Sequence, residues 1–466
     1  MHPCLRRGFK RDRASYITPM PLDKHQDKNT AAKRIGRYAK VTSTVGGLAA
    51  KVAGEKFFGL KIDRADHADA LKAALGNLRG PLVKIAQLLS TIPEALPPEY
   101  ARELQQLQSN APSMGWPFVK RRMAAELGPD WQDKFREFPR DATAAASLGQ
   151  VHRAVTSDGI TVACKLQYPD MESAVDADLN QLKLVLGLFE AYDKAIQTSA
   201  IRMEIAERLK EELDYAREAQ NTKLYAEILK NETAAQVPLV IDKLCGPRLL
   251  TTTWLDGKPI MSFKDAPQEV RNELAMNLFR TWYVPLYQYG IIHGDPHFGN
   301  YTVREDHTIN LLDFGCIRVF PPRFIKGIID LYHALMNDDR ALAVSAYEAW
   351  GFKNLSNELV DTLNVWAGFL YAAVMDDKKR VIGEAKGKVY GRDTAARVHA
   401  ELRKHGGVSV PREFVFMDRA ALGLGSVFIH LQSKVNWHRL FNELIADFDL
   451  ATLEKNQKAV LKKAGL

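Results

Sequence analysis

The chain has 466 residues, 46% of them hydrophobic and 9% aromatic, with 64 Lys and Arg against 56 Asp and Glu. That is enough apolar material for a two-lobed core with extensions, and it argues against a fibre or a membrane channel. No uninterrupted apolar run approaches the length of about 18 residues that a membrane-spanning helix needs, so any membrane association is expected to be peripheral.

The positive charge is concentrated at the start. Residues 1–60 hold 13 Lys or Arg and 4 Asp or Glu, so the net charge of +8 resides there and the rest is close to neutral. Residues 1–30, with Pro19, Pro21 and many charges, read as a disordered basic tail. From Lys33 to Leu60, Val41, Val45, Leu48 and Val52 fall at helical spacing among small residues and lysines. That pattern suits an anionic membrane surface as well as a helix lying on a protein core. Nucleic acid is not expected as a partner, because aromatic interleaving is sparse and no reading module occurs. Gly80-Pro81 is a good helix start, since proline is tolerated in the first turn. Lys84 and Gln87, three residues apart, then share one face. Residues 31–135 are accordingly read as an N-terminal helical extension.

Residues 136–255 read as a small lobe with a helical insertion. A hairpin begins at Ala144, Ala145, Ala146 and Ser147, where a phosphate-cradling loop would carry glycines; alanine methyls restrict the backbone angles and close approach that glycine permits. Val162-Ala163-Cys164-Lys165 is a short apolar strand ending in a lysine able to reach nucleotide phosphates, with Cys164 on the opposite face. A buried lysine requires a carboxylate partner. Glu218 supplies one, in a segment without Pro or Gly that reads as a single helix from about Ile201 to Leu229. On such a helix Glu212 and Glu218 stand about 240° apart, so one acid cannot serve two lysines. Leu249 to Gly257 reads as a strand broken by Asp-Gly, with Thr253, Trp254 and Leu255 as a hinge whose amides would meet an adenine.

Residues 256–466 read as a larger, mainly helical lobe. Near its start lie His293-Gly294-Asp295-Pro296-His297-Phe298-Gly299-Asn300 and then Asp313-Phe314-Gly315. An Asp, an Asn five residues on, and Asp-Phe-Gly beyond a short hairpin form the spacing with which kinase-like folds build a phosphoryl-transfer centre. Asp295 would orient a nucleophile, and Asn300 and Asp313 would hold Mg²⁺, which takes hard oxygen ligands and needs only one or two from protein. Phe320-Pro321-Pro322 follows almost at once, so no long activation segment is present to seat a protein substrate. The four cysteines, Cys4, Cys164, Cys245 and Cys316, form no Cys-x-x-Cys, which points to a reducing compartment, with Cys164 and Cys316 read as packing residues. From Asp447 to Leu466 the chain reads as a charged, frayed helix.

At these residues the chain resembles the UbiB/ABC1/ADCK group of atypical kinases, tied to ubiquinone (coenzyme Q) biosynthesis, over about residues 75 to 350. The alanine-rich loop, Lys165, the Glu212-to-Asn221 segment, the His293-to-Asn300 loop and Asp313-Phe-Gly carry the resemblance. Lys84-Ile85-Ala86-Gln87 matches the family's Lys-x-Gly-Gln element with alanine in place of glycine. The resemblance implies an α+β, atypical protein-kinase-like two-lobed fold with the N-terminal helical extension packed over the active site. It implies regulatory roles for Lys84, Gln87, Glu212 and Asp214, with Lys84 meeting Glu212 or Asp214 where a protein substrate would otherwise lie. It further implies catalytic Asp295, Lys165 and Glu218, and a nucleotide held by Ala144 to Ser147, Lys165 and Thr253 to Leu255. The function implied is that of an ATP- and Mg²⁺-dependent kinase or ATPase supporting ubiquinone biosynthesis, cytoplasmic or peripheral on the inner membrane. Its partners would be anionic lipid, quinone-precursor lipids and ubiquinone-biosynthesis enzymes. Two other readings stay open: a small-molecule phosphotransferase of the aminoglycoside or choline kinase type, which shares the His-Gly-Asp-x-x-x-x-Asn spacing, and a nucleotide-binding scaffold for lipid-pathway enzymes.

Overall fold

The computed structural model describes residues 113–146, 148–176, 179, 198–382 and 412–466. The basic tail, the stretch carrying Lys84 and Gln87, and Ser147 lie outside them.

The small lobe is built on period-two strands. Helix α1 (Trp116–Leu127) precedes β1 (Phe135–Glu137), β2 (Ala144–Ala146), β3 (Gly149–Thr156) and β4 (Thr161–Gln167). On β4, Val162, Cys164 and Leu166 are buried against Phe118, Val119 and Met123 of α1 and against Trp131, which leaves Lys165 on the opposite face. The alternation is what places a lysine in a cleft while its neighbours fill a core. The alanine-rich segment is an edge strand, Ala144 to Ala146 pairing antiparallel with Val151 to Gly149. A Cβ on Gly149 would lie 2.3 Å from the Leu166 carbonyl oxygen, so only glycine lets the hairpin cross β4 this closely.

The segment expected as one helix is two: α2 (Thr198–Leu213) and α3 (Tyr215–Ile228). The break falls at Asp214, whose carboxylate accepts the Arg217 N–H at 2.9 Å and so caps α3. Aspartate competes with the helical backbone for such hydrogen bonds, which is why it starts a new helix here. The angle reckoned between Glu212 and Glu218 on a continuous helix therefore does not apply.

Strands β5 (Ala235–Gln236) and β6 (Leu249–Thr253) follow, β6 completing the five-stranded sheet beside β4. The chain then enters the larger lobe through β7 (Lys258–Pro259) and the long helix α4 (Gln268–Tyr289). Gly290, left-handed at φ 65°, ends α4 and turns the chain into β8 (Ile291–His293). Next come β9 (Tyr301–Val303), β10 (Ile309–Leu311) and β11 (Ile317–Val319). β9 and β10 form an antiparallel hairpin, and β8 pairs antiparallel with β11. The pairing sets His293 opposite Ile317, so the two loops expected to carry the chemistry leave one small ribbon side by side.

Helices α5 (Pro322–Asn337), α6 (Arg340–Ala349) and α7 (Asn357–Tyr371), the short strand β12 (Arg380–Val381), α8 (Arg412–Leu431), β13 (Lys434–Val435), α9 (Trp437–Ile445) and α10 (Leu450–Ala464) complete the lobe. Their apolar faces share one core with Leu274, Leu278, Trp282 and Leu286 of α4. The last helix is not frayed: Asp449 caps it through the Thr452 N–H, and Leu453, Gln457 and Val460 are buried. No helix among the described residues is long and apolar enough to cross a membrane.

Candidate active site

Three segments converge on Lys165. Its Nζ donates to both oxygens of Glu218, at 2.7 and 2.9 Å, and lies 3.4 Å from Oδ2 of Asp313. The Tyr215 ring, at the start of α3, lies 5.2 Å from the same ammonium. Burial works to discharge the lysine, but Asp313 and Glu218 outweigh it and hold its pKa well above the ordinary value. Burial pushes the Glu218 carboxyl up to about 7 against the pull of Lys165.

Asn221 stands one turn beyond Glu218 and faces the same way. Its Nδ2 donates to the Phe314 carbonyl at 2.9 Å, tying α3 to the Asp-Phe-Gly loop. Phe314 is buried against Tyr225, 5.4 Å between ring centres, and against His293 at 5.9 Å. Asp313 accepts the Gly315 N–H through Oδ1 at 2.9 Å, which fixes the turn and directs its other oxygen toward Lys165.

His293 joins the two loops. Its Nδ1 accepts the Asp295 N–H at 3.2 Å, so the proton sits on Nε2 and is donated to the Asp313 carbonyl. The ring is 1% exposed, and burial lowers its pKa, which favours this neutral tautomer. Asn300 donates from Nδ2 to the Asp295 carbonyl at 3.0 Å, leaving its side-chain oxygen as the atom available to a cation. The Leu312 N–H donates to the Asn300 carbonyl at 3.1 Å, bringing Asn300 and Asp313 to one place. Hard oxygens from one carboxamide and one carboxylate would suit Mg²⁺, which needs only one or two ligands from protein. No cluster of three or more His, Cys, Asp or Glu able to hold a metal alone occurs among the described residues.

The hinge differs from expectation in its hydrogen bonding. The Thr253 N–H donates to the Leu239 carbonyl at 2.8 Å and the Trp254 N–H to the Thr161 carbonyl at 2.9 Å. Both amides are committed to the sheet, so of the three hinge residues Leu255 is the one with an amide open to an adenine. Asn310 holds the following turn by donating to the Asp256 carbonyl at 3.0 Å.

Several contributors escaped the sequence reading. Glu211 accepts from Arg318 at 2.6 Å and pairs with Arg217 at 3.2 Å, fastening the α2–α3 corner to β11. Arg208 donates to Cys316 Sγ, beside Gly294 of the catalytic loop, and burial keeps the Cys316 thiol above its ordinary pKa despite that cation. Glycine at 423 on α8 lets that helix meet Pro296, because a Cβ there would lie 2.2 Å from the proline Cγ. Asn221, by contrast, belongs to the Glu212-to-Asn221 segment that carried the resemblance; the residues that escaped join segments far apart in sequence. Of the residues expected to regulate the site, Asp214 caps α3 and Glu212 lies half-buried on the last turn of α2. Lys84 and Gln87 lie outside the described residues.

The family model described as the ABC1 atypical kinase-like domain matches residues 106–347. The chain is 29% identical over 352 residues to the Caenorhabditis elegans protein named atypical kinase coq-8, mitochondrial, covering 71% of this chain and 47% of that one. It is 33% identical over 259 residues to the Saccharomyces cerevisiae atypical kinase COQ8, mitochondrial, covering 55% and 52%. The chain thus spans about half the length of these curated relatives. Among solved structures, the Mycobacterium tuberculosis protein Rv3197, in complex with erythromycin, superposes with a TM-score of 0.57 at 26% identity, covering 82% of this chain and 96% of that one.

Proposed function

The chain belongs to the ABC1 atypical kinase-like family, and from that premise we propose that it is an ATP- and Mg²⁺-dependent atypical kinase or ATPase. The observation that carries the reading is the position of Lys165, held 2.7 Å from Glu218 and 3.4 Å from Asp313. Kinase-like catalysis needs this lysine and the metal-binding aspartate in place together. Bound Mg²⁺ would neutralise charge on the phosphates, with Asn300 and Asp313 as its protein ligands. Lys165 would bind the α- and β-phosphates, oriented by Glu218. Asp295 would orient the attacking group. The Leu255 amide would meet the adenine, and Ala144 to Ser147 would cover the phosphates as a strand-edged hairpin rather than a glycine-rich loop.

The ubiquinone role implied by the family resemblance completes the proposal, with peripheral membrane association through the basic first 60 residues. The catalytic part is tested by Asp313→Asn. Mg²⁺-ATP hydrolysis by the purified full chain falls at least a hundredfold while circular dichroism and melting stay close to wild type; undiminished turnover sinks the metal-ligand assignment.

A further inference from the structure

The charged C-terminal helix α10 buries one polar side chain against the two strands that lead to the chemistry. Gln457 is 9% exposed, and its Nε2 donates to the Tyr289 carbonyl at 2.9 Å and to the Phe320 carbonyl at 2.9 Å. Tyr289 ends α4, immediately before β8 and the His293–Asp295 turn; Phe320 follows β11, which descends from Asp313. The same two strand ends are joined by the Phe320 N–H, which donates to the Gly290 carbonyl at 2.8 Å. Glycine is favoured at 290 by its φ of +65°, and a Cβ there would lie 2.5 Å from Gln457 Nε2, so the amide would have to move off. α10 also rests on α3, the helix carrying Glu218, where Lys463 pairs with Glu227 at 2.5 Å.

We propose that α10 is a positioning element of the active site and that Gln457 is its positioning residue, setting the spacing between the roots of the catalytic loop and the metal loop. A carbonyl near the end of a helix lacks an intrahelical partner, and the carbonyl beyond a strand end has none from the ladder. One carboxamide serves both, so the two roots cannot move apart without breaking a buried hydrogen bond. The distance between Asp295 and Asp313 is then set from beneath by a residue that touches neither.

The inference rests on the nucleotide reading only for its turnover readout. Two variants of the full chain separate positioning from general stability. Gln457→Met keeps the volume and removes the donors, whereas Leu453→Ala removes core packing on the same helix and leaves both carbonyls served. The expected result for Gln457→Met is a kcat for Mg²⁺-ATP hydrolysis about tenfold lower, KM within about twofold of wild type, and faster amide exchange at 290–293 and 317–320. Leu453→Ala lowers the melting temperature while kcat and exchange at those amides stay within about twofold at a temperature where it is folded. Wild-type kcat in Gln457→Met, or a kcat loss that Leu453→Ala reproduces in step with melting temperature, overturns the proposal. Should the wild-type chain hydrolyse no Mg²⁺-ATP, the nucleotide reading fails, and amide exchange alone decides whether Gln457 holds the two roots.

Discussion

Glu218 is where protonation would bear on the proposed catalysis. Its carboxyl is pushed to about 7 by burial, yet it is the partner that orients Lys165. Protonation removes the charge that Lys165 meets, so kcat/KM for ATP should fall as pH drops through about 7. A pH–rate profile flat from pH 6 to pH 8 would exclude Glu218 as the ionising group. For stability the sign is opposite. A carboxyl whose folded pKa exceeds its ordinary 4.5 binds a proton more readily when folded, so its contribution is greatest below 4.5 and declines as pH rises toward 7. The residues of this cluster were legible in the sequence because their spacing reflects local geometry: a lysine alternating with buried apolar residues on a strand, a carboxamide five residues after an aspartate. The hinge amides were not, because the chain around Leu239 that occupies Thr253 joins the sheet from a separate segment.

Elements were legible where a single periodicity governed them, and were misread where a side chain overrode it. The stretch around Asp214 carries an unbroken helical composition, and a single carboxylate–amide bond divides it into α2 and α3. The division gives Glu218 and Asn221 a helix of their own, aimed at Lys165 and Phe314. α8 makes the other long-range correction. It lies on the catalytic loop through Gly423 and Pro296, and the Phe298 and His430 rings meet at 5.2 Å between centres. Gly423→Ala places a methyl where the proline ring already is, so we expect a loss of about 1–3 kcal/mol in urea unfolding, with turnover reduced because Pro296 follows Asp295. Unchanged stability and turnover together would show that the helix is free to back away.

For the whole molecule, the α+β two-lobed kinase-like fold was implied by the family resemblance, which a lysine strand, an acidic helix and two loops in that succession carry. The bracing of those motifs did not follow, because α10 reads as a solvated helix from its lysines, and its buried stripe of Leu453, Gln457 and Val460 is interrupted by a polar residue. Electrostatics at this scale bears on the proposed interaction with lipid. With 13 basic and 4 acidic residues in the first 60, anionic liposomes should raise ATP turnover in the full chain more than neutral ones do, and deletion of residues 1–60 should abolish the difference. Equal turnover on both liposomes would remove the membrane role. In cells lacking the gene, quinone precursors should accumulate and be cleared by the wild-type chain but not by Asp295→Asn; a normal quinone profile would detach the protein from that pathway.

The hydrogen bonds from Gln457 to the two strand roots also order events during synthesis. Every side chain expected to bind nucleotide or metal has been translated once Asp313 is made, but the amide that fastens their supports arrives only with Gln457, on the order of ten seconds later at roughly 5–20 residues per second. A nascent chain would carry the complete set of reactive groups before they are locked in register, so maturation of the site would wait until α10 has been made. A product cut short before α10 would retain every motif by which the protein is recognised while lacking the brace that aligns them.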